Sequence, residues 1–328
     1  MVNVDRPGAM LKVKEAADGI LGAVEKAVVG RRAELSALLA GFLAEGHVLL
    51  EGPPGTGKTL AVRVLAAASG CAFRRIQFTP DLMPTDVVGT HVYDPREGGF
   101  RLVRGPVFAD VVLADEINRA PAKTQAALLE AMEERRATID GESLELPRPF
   151  TVFATMNPIE FEGTFPLPEA QLDRFLMKVR MTDIEAAAER EVIARFAAGF
   201  DPWSGVAKTA AVLDAPRLLA LRAEIRTVRV EEAVQSYLVE VVRRTRSHPA
   251  VGLGASTRAA VSLLRAAQAH AACAGREYVI PDDLKFLAPY VLSHRLVLHP
   301  EAQLEGVSGD RVVAKILDET PVPRLAAA

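Results

Sequence analysis

The chain has 328 residues, with 39 Lys and Arg against 42 Asp and Glu, so its formal net charge is −3. This length predicts about two domains, and 49% hydrophobic with 25% charged residues is the composition of a globular protein, not of a disordered or membrane-spanning one. The nearly balanced, interleaved charges argue against a dedicated DNA- or RNA-binding protein. The first residues lack the apolar core of a signal peptide, and the two cysteines, Cys71 and Cys273, offer no disulfide framework, so we expect a cytoplasmic protein.

Short apolar segments alternate with helical patterns in the first half of the chain. Strands are expected at 47–50, 74–78, 107–114 and 150–155. Helices are expected at about 58–68, ending before Gly70, and from about Asn118 onward, with Pro121 in the first turn. Strands that alternate with helices predict a mostly parallel α/β sheet.

Two segments, 92–104 and 137–146, interrupt this alternation with a strand, a turn and a second strand. The turn residues are Asp94, Pro95, Gly98 and Gly99 in the first segment and Asp140 and Gly141 in the second. We interpret both as β-hairpins inserted into the α/β core. The apolar residues of the first hairpin are Tyr93, Phe100, Leu102 and Val103. An isolated two-stranded ribbon cannot bury them, so we expect this hairpin to pack on a neighbouring subunit or a partner, the alternative being a decorative surface loop.

From about residue 185 the sequence is rich in Ala, Leu and Arg at helical spacing. Helices are expected at 187–197, 215–226, 230–247, 256–274 and 281–294. Residues 199–205 have the composition of a loop, and Trp203, the only tryptophan of the chain, is expected to anchor it. The second half is therefore predicted to be helical.

The segment 52–59 reads Gly-Pro-Pro-Gly-Thr-Gly-Lys-Thr, and it follows a predicted strand and opens a predicted helix. This context, required for a phosphate-binding loop, argues against a chance glycine-rich turn. Backbone N–H groups can surround the β-phosphate, Lys58 can reach the β- and γ-phosphates, and Thr59 can ligate Mg²⁺. We therefore predict contacts with ATP or ADP from Gly52, Pro54, Gly55, Thr56, Gly57, Lys58, Thr59 and Leu60.

Two acidic residues, Asp115 and Glu116, end the third predicted strand. Asp115 is predicted to bind Mg²⁺ through its water shell and to complete the metal site with Thr59. Glu116 is predicted to orient and deprotonate the attacking water. The alternative is that both acids cap the following helix.

Three polar residues farther along the chain are candidates for the same chemistry. Asn157 follows the fourth strand, where its amide could align the water, although Asn-Pro is also a common start of a turn. Arg174 is either a locally paired surface arginine or a finger that reaches the γ-phosphate in an adjacent subunit. Arg258 stands near a helix N-terminus, where a cation is unfavourable, so a γ-phosphate contact from the helical half is the alternative to an exposed arginine.

Together these motifs resemble those of AAA+ ATPases, and within them the MoxR family. GPPGTGKT resembles Walker A, VVLADEINRA Walker B, ATMNP sensor 1, LPEAQLDRF the arginine-finger segment and GASTRA sensor 2. The resemblance covers about 28–317, and five motifs in the right order are far more specific than one. It implies a P-loop αβα sandwich with a mostly parallel five-stranded sheet, two inserted hairpins and an all-helical lid domain. It also implies that Val29 and Gly30 line the adenine pocket.

The resemblance predicts how the chain divides and assembles. We expect an N-terminal helical segment at 1–27, a nucleotide-binding core at 28–185, a linker at 186–210 and the lid at 211–328. The active form is expected to be a ring, commonly a hexamer, that binds ATP or ADP with Mg²⁺ between core and lid.

The function expected from the resemblance is ATP-driven remodelling, maturation or metal-cofactor insertion of a partner protein. Partners of this family often carry a von Willebrand factor A domain. The alternatives are the ATPase subunit of a magnesium-chelatase-like machine and a nucleotide-gated binding module with little turnover. A nucleic-acid motor is disfavoured because neither hairpin combines a basic with an aromatic face, and Glu116 disfavours a small-molecule kinase.

Overall fold

The computed structural model describes residues 8–96, 98–158 and 164–323. The strands are β1 (Val48–Glu51), β2 (Phe73–Gln77), β3 (Gly89–Asp94), β4 (Gly99–Arg104), β5 (Val111–Asp115), β6 (Arg136–Ile139), β7 (Glu142–Glu145), β8 (Thr151–Met156), β9 (Met177–Arg180), β10 (Val251–Leu253) and β11 (Val297–Leu298). Five of them form one sheet in the order β2-β5-β8-β1-β9, and every neighbouring pair is parallel. This confirms the predicted α/β sheet.

Helices cover both faces of this sheet and form most of the second half of the chain. They are α1 (Ala9–Ala27), α2 (Arg32–Leu43), α3 (Lys58–Ala68), α4 (Pro84–Val88), α5 (Ala122–Glu134), α6 (Glu169–Leu172), α7 (Ala186–Ala197), α8 (Pro202–Lys208), α9 (Ala215–Ile225), α10 (Glu232–Ser247), α11 (Thr257–Cys273), α12 (Pro281–Leu292), α13 (Pro300–Leu304) and α14 (Gly309–Glu319). A 3-10 turn over Ile117–Arg119 precedes α5. No helix in the described ranges is long and apolar enough to cross a membrane.

The sheet separates two apolar cores because successive side chains of a strand point to opposite faces. On β1, Val48 and Leu50 lie in the core formed with α1, α2, α3 and the helical half, whereas Leu49 lies in the core formed with α4 and α5. All three side chains are fully buried. The result is the expected αβα sandwich.

Both predicted hairpins are present, β3 with β4 and β6 with β7. They lie against each other, since Asp140 at the second turn accepts hydrogen bonds from His91, from the backbone N–H at 3.3 Å and at Nδ1 at 2.8 Å. On the first hairpin the Tyr93 and Phe100 rings pack edge to face at 5.6 Å, and Phe100 is 74% exposed. Leu102 packs against the core that contains α5.

Three sequence expectations need correction. The helix expected from about Asn118 begins at Ala122, with Pro121 as its N-cap, after the 3-10 turn over Ile117–Arg119. The third strand begins at Val111, four residues later than predicted, because the Val107 N–H bonds to Val87 O outside the sheet. Residues 199–205, expected to be a loop, contain the start of α8 at Pro202; Asp201 Oδ1 accepts the Trp203 N–H at 3.0 Å, which stabilises that helix start. The predicted linker at 186–210 is thus built largely of α7 and α8.

The helical half comes after α7 and α8 in the chain, and it also contains one short ribbon, β10 paired with β11. This helical half lies against the core sheet. Arg180 of β9 forms an ion pair with Asp310 of α14 and also binds Glu51 at the end of β1 at 2.8 Å. The helical half is therefore fixed next to the carboxyl end of β1, where the glycine-rich loop begins.

Candidate functional site

The glycine-rich loop, residues 52–59, connects β1 to α3. Gly55 and Gly57 have φ angles of 84° and 86°, a region that side chains disfavour, so glycine is required there. Lys58 Nζ donates to the carbonyls of Gly52 at 2.6 Å and Pro53 at 2.7 Å. The loop therefore curls around the Lys58 ammonium group, with its backbone at the N-terminus of α3.

Asp115 ends β5 beside this loop. Its Oδ2 lies 3.4 Å from Thr59 Oγ1 and accepts a hydrogen bond from Arg75 Nε at 2.9 Å. Its Oδ1 accepts from Thr155 Oγ1 at 2.5 Å. The Thr59 hydroxyl and the Asp115 carboxylate thus converge as oxygen donors, which is the ligand type that Mg²⁺ prefers.

Glu116 has a left-handed backbone, with φ of 57°, which is strained for a residue with a side chain. Its N–H donates to Thr155 Oγ1 at 2.9 Å, so one hydroxyl binds both acidic residues. Its Oε2 accepts from Gln77 Nε2 at 2.8 Å and pairs with Arg119 Nε at 3.2 Å. These contacts hold the Glu116 carboxylate at the carboxyl edge of the sheet.

The glycine-rich loop lines a cavity of about 360 Å³ together with Asp115, Glu116 and Thr155, and this cavity is here called the loop cavity. Its lining residues are 54–60, 115–116, 155–157 and 202–203. Asn157 belongs to it because β8 lies between β5 and β1, which places the end of β8 between the acids and the loop. Of the predicted nucleotide contacts, Gly52, Val29 and Gly30 do not line it.

The segment before α2 nevertheless lies next to the glycine-rich loop. A Cβ placed on Gly57 would be 3.3 Å from Val28 Cγ1, and one on Gly30 would be 2.5 Å from the Cβ of Ala188. The residues on either side of Val29 thus lie against the loop, at Val28, and against α7, at Gly30. This position is compatible with the adenine-pocket role that the resemblance implies.

Burial lowers the pKa of Lys58, and nearby Arg31 lowers it further, whereas Asp115 and Glu116 raise it. Arg31 is itself buried and donates to Thr182 O beyond β9. The loop cavity thus has the cationic Lys58 on the glycine-rich loop, with Arg31 nearby, and the anionic Asp115 and Glu116 at the end of β5. That distribution suits a phosphate together with a metal cation.

Arg174 and Arg258 lie together elsewhere, in a cavity of about 220 Å³ here called the arginine cavity. Both pair with one carboxylate, since Glu133 lies 3.0 Å from Arg174 and 2.9 Å from Arg258. Asp173 Oδ2 lies 3.8 Å from Arg258. Two arginines that were predicted separately, one from the core and one from the helical half, therefore form a single cluster.

The two cavities lie at opposite ends of β1. His47, which precedes β1, lines the arginine cavity, whereas the glycine-rich loop follows β1. A strand of four residues spans about 13 Å. Neither Arg174 nor Arg258 lines the loop cavity, so the sequence motifs of one chain are divided between two places.

Sequence reasoning missed several contributors to the site: Arg75, Gln77, Thr155, Glu133 and Asp173. Gln77 and Arg75 lie on β2, and Thr155 lies on β8, next to β5. A signal was present for Gln77 and Thr155, because the carboxyl ends of parallel strands meet at one edge of a sheet. Asp173 lies in the LPEAQLDRF segment next to Arg174, but no sequence pattern marks Glu133.

Two protein-family models match the chain. Residues 47–177 match the ATPase family associated with various cellular activities (AAA), and residues 243–316 match the AAA lid domain. A solved structure of a candidate ATPase from Cytophaga hutchinsonii superposes with a TM-score of 0.87 at 40% identity, covering 96% of this chain and 97% of that one.

Relatives of known sequence cover nearly the whole chain. It is 46% identical to the uncharacterized protein YeaC of Bacillus subtilis, over 92% of each chain. It is 43% identical to Chaperone MoxR1 of Mycobacterium tuberculosis, over 92% of this chain and 81% of that one. It is 35% identical to Protein MoxR of Methylorubrum extorquens, over 98% of this chain and all of that one. On this evidence the chain belongs to the MoxR family of AAA+ ATPases.

Proposed function

We propose that this protein hydrolyses MgATP in an oligomeric ring and uses the reaction to remodel a partner protein. One observation carries the proposal: the glycine-rich loop and the acids lie at one end of β1, and the arginine pair lies at the other. A single chain does not bring these groups together. Copies arranged head to tail would place the arginines of one subunit at the loop cavity of the next.

The loop cavity supplies the groups for binding and for water activation. Backbone N–H groups of the loop and Lys58 bind the phosphates, and the oxygens of Thr59 and Asp115 would hold Mg²⁺, which neutralises phosphate charge when bound. Glu116 takes a proton from the attacking water, and Asn157 orients that water. The water oxygen bonds to the γ-phosphorus as the bond to the β,γ-bridging oxygen breaks, releasing ADP and phosphate.

Charge builds on the transferred phosphoryl group during this step, and cations placed there lower the barrier. Arg174 and Arg258 fit this role in trans because they are adjacent and approach from one surface. Without a neighbouring subunit they remain paired to Glu133, which keeps the cluster ordered. Turnover is therefore expected to require assembly.

The remodelling role is supported by the family and by one relative named Chaperone MoxR1. A protein with a von Willebrand factor A domain is the first candidate partner, and maturation or metal-cofactor insertion the first candidate outcome. ATP held by a Glu116→Gln variant should prolong the complex with this partner. Recovering and identifying the bound protein tests the client role directly.

The ring mechanism is tested by mixing two inactive variants. Lys58→Ala removes nucleotide binding and keeps the arginines, whereas Arg174→Ala keeps the nucleotide site and removes the finger. Mixed rings should regain ATPase activity because an intact site then meets an intact arginine. As the matched control, a Lys58→Ala/Arg174→Ala double variant mixed with Arg174→Ala should regain none. Absence of recovery in hetero-oligomers proven by mass would reject action in trans.

A further inference from the structure

Arg295 follows α12 in the helical half, and its guanidinium group contacts one turn of the core. The side chain is 3% exposed. It donates to Asp173 Oδ1 at 2.7 Å, to Phe175 O at 2.6 Å and to Leu176 O at 3.1 Å, with a fourth bond to Asp173 O at 3.2 Å. On its own side it binds Val291 O at 2.6 Å and Ser262 Oγ at 3.4 Å.

The turn that Arg295 contacts is the turn that carries Arg174. It connects α6 to β9, and two of the carbonyls that bind Arg295 belong to Asp173 and Phe175, directly before and after Arg174. The Asp173 carboxylate is shared, because Oδ1 accepts from Arg295 and Oδ2 faces Arg258. Charges thus alternate from Arg295 through Asp173, Arg258 and Glu133 to Arg174.

A guanidinium group suits this position for geometric reasons. Its five N–H donors lie in one plane, so several acceptors fix its orientation, and the acceptors are fixed in return. A buried charge must also be fully paired, so the contact resists loosening. The acceptors of Arg295 lie in 173–176, 262 and 291, outside the loop cavity.

We propose that Arg295 is a positioning residue for Arg174 and Arg258. It fixes the orientation of both arginines toward the ATP of the adjacent subunit, and it makes turnover there depend on how the lid sits against the core. The inference rests on the proposed function in trans. It goes further by placing control of the arginines in one contact between the lid and the turn at 173–176.

The mixing assay locates the effect of Arg295. Lys58→Ala subunits serve only as arginine donors, and Arg174→Ala subunits serve only as nucleotide sites. Donors that carry both Lys58→Ala and Arg295→Gln should restore an ATPase rate up to about 100-fold lower than the rate restored by Lys58→Ala donors. The reason is that a small displacement of a catalytic group can lower the rate by up to this factor. Arg295→Gln subunits used as the nucleotide site, with Lys58→Ala donors, should recover activity and bind nucleotide with unchanged affinity.

Arg222 gives a matched control, since it is also a buried arginine of the helical half but donates to Phe42 O and Thr151 Oγ1, away from the finger turn. Lys58→Ala/Arg222→Gln donors should restore as much activity as Lys58→Ala donors.

If Arg295→Gln subunits fail to assemble, Lys58→Ala/Asp173→Asn donors provide the test instead. These donors should restore less ATPase activity than Lys58→Ala donors, as expected for Arg295→Gln. Full restoration by donors carrying Arg295→Gln or Asp173→Asn would overturn the inference while leaving the ring mechanism intact. Failure of the plain Lys58→Ala and Arg174→Ala mixture would reject both.

Discussion

Gln77 Nε2 donates a hydrogen bond to Glu116 Oε2 at 2.8 Å, although the two residues lie 39 positions apart. The bond joins the ends of β2 and β5, which are neighbours in the sheet. It holds one oxygen of the carboxylate that we propose as the general base. The orientation of Glu116 thus depends on a strand that contributes no residue to the glycine-rich loop.

Gln77→Ala should lower kcat about tenfold and leave ATP affinity unchanged, because it misorients Glu116 without touching the phosphate contacts. Glu116→Gln should lower kcat by about 10²–10⁴-fold, the range expected for a lost general base, with ATP still bound. Steady-state rates and nucleotide titrations measure both. Arg74→Ala, on the opposite face of β2, is the control. A Glu116→Gln variant that turns over at the wild-type rate would refute the assignment.

Thr155→Val should raise the Mg²⁺ concentration needed for half-maximal activity. The change keeps the side-chain shape but removes the hydroxyl that donates to Asp115 and accepts the Glu116 N–H. The partly buried Glu116 N–H then lacks this partner, so the free energy of unfolding should also fall by about 1 kcal/mol. Mg²⁺ titration of the ATPase and urea unfolding test the two effects. An unchanged Mg²⁺ requirement would show that Thr155 does not order Asp115.

Phe100→Ser should weaken ring assembly or partner-stimulated turnover and leave nucleotide affinity near wild type. Phe100 is largely exposed, and none of the described residues of the hairpin lines the loop cavity. Native mass, ATP affinity and ATPase rate with and without partner should be measured on one preparation. Arg101→Ser, the neighbour on the other face of β4, is the matched control. Unchanged assembly and stimulation would identify the hairpin as decoration.

Stability should fall as the pH drops from about 6.5 to about 4. Burial, opposed by the hydrogen bond to Met132 and reinforced by Arg135, Arg222 and Arg265, lowers the pKa of His47 to about 4. The neutral ring fits its site, since Nδ1 accepts from the Val152 N–H at 2.9 Å and Nε2 lies 3.1 Å from Met132 O. The unfolded chain takes up this proton at a higher pH than the folded protein, so acid favours unfolding.

Above pH 6.5 the neutral His47 contributes fully to the free energy of unfolding. By pH 4 about 3 kcal/mol of that free energy is lost. The pKa of buried His294 is also lowered well below its usual value, chiefly by burial, so His294 adds to the loss of stability in acid. Urea unfolding of wild type and His47→Asn at several pH values isolates the His47 share. The variant should be less stable at pH 7 and less sensitive to acid. Parallel pH profiles would contradict this account.

Much of the fold could be predicted because the signals are local. Short apolar segments predicted four of the five sheet strands, and the glycine-rich loop predicted the start of α3 at Lys58. Side-chain periodicity and the conformational freedom of glycine act over a few residues, so they can be read directly. The start of α8 was missed although Asp201 and Pro202 carry a known helix-start pattern.

The sequence by itself determined which residues are available for the ATP chemistry that we propose: Lys58, Asp115, Glu116, Asn157, Arg174 and Arg258. Only the tertiary structure decided that the first four share one cavity and that the two arginines share another. It also decided the contacts of Gln77 with Glu116, over 39 positions, and of Arg295 with Asp173, over 122. These two contacts depend on the order of the strands and on the packing of the lid against the core. Both result from many contacts between residues far apart in the chain, so no local sequence pattern indicates them.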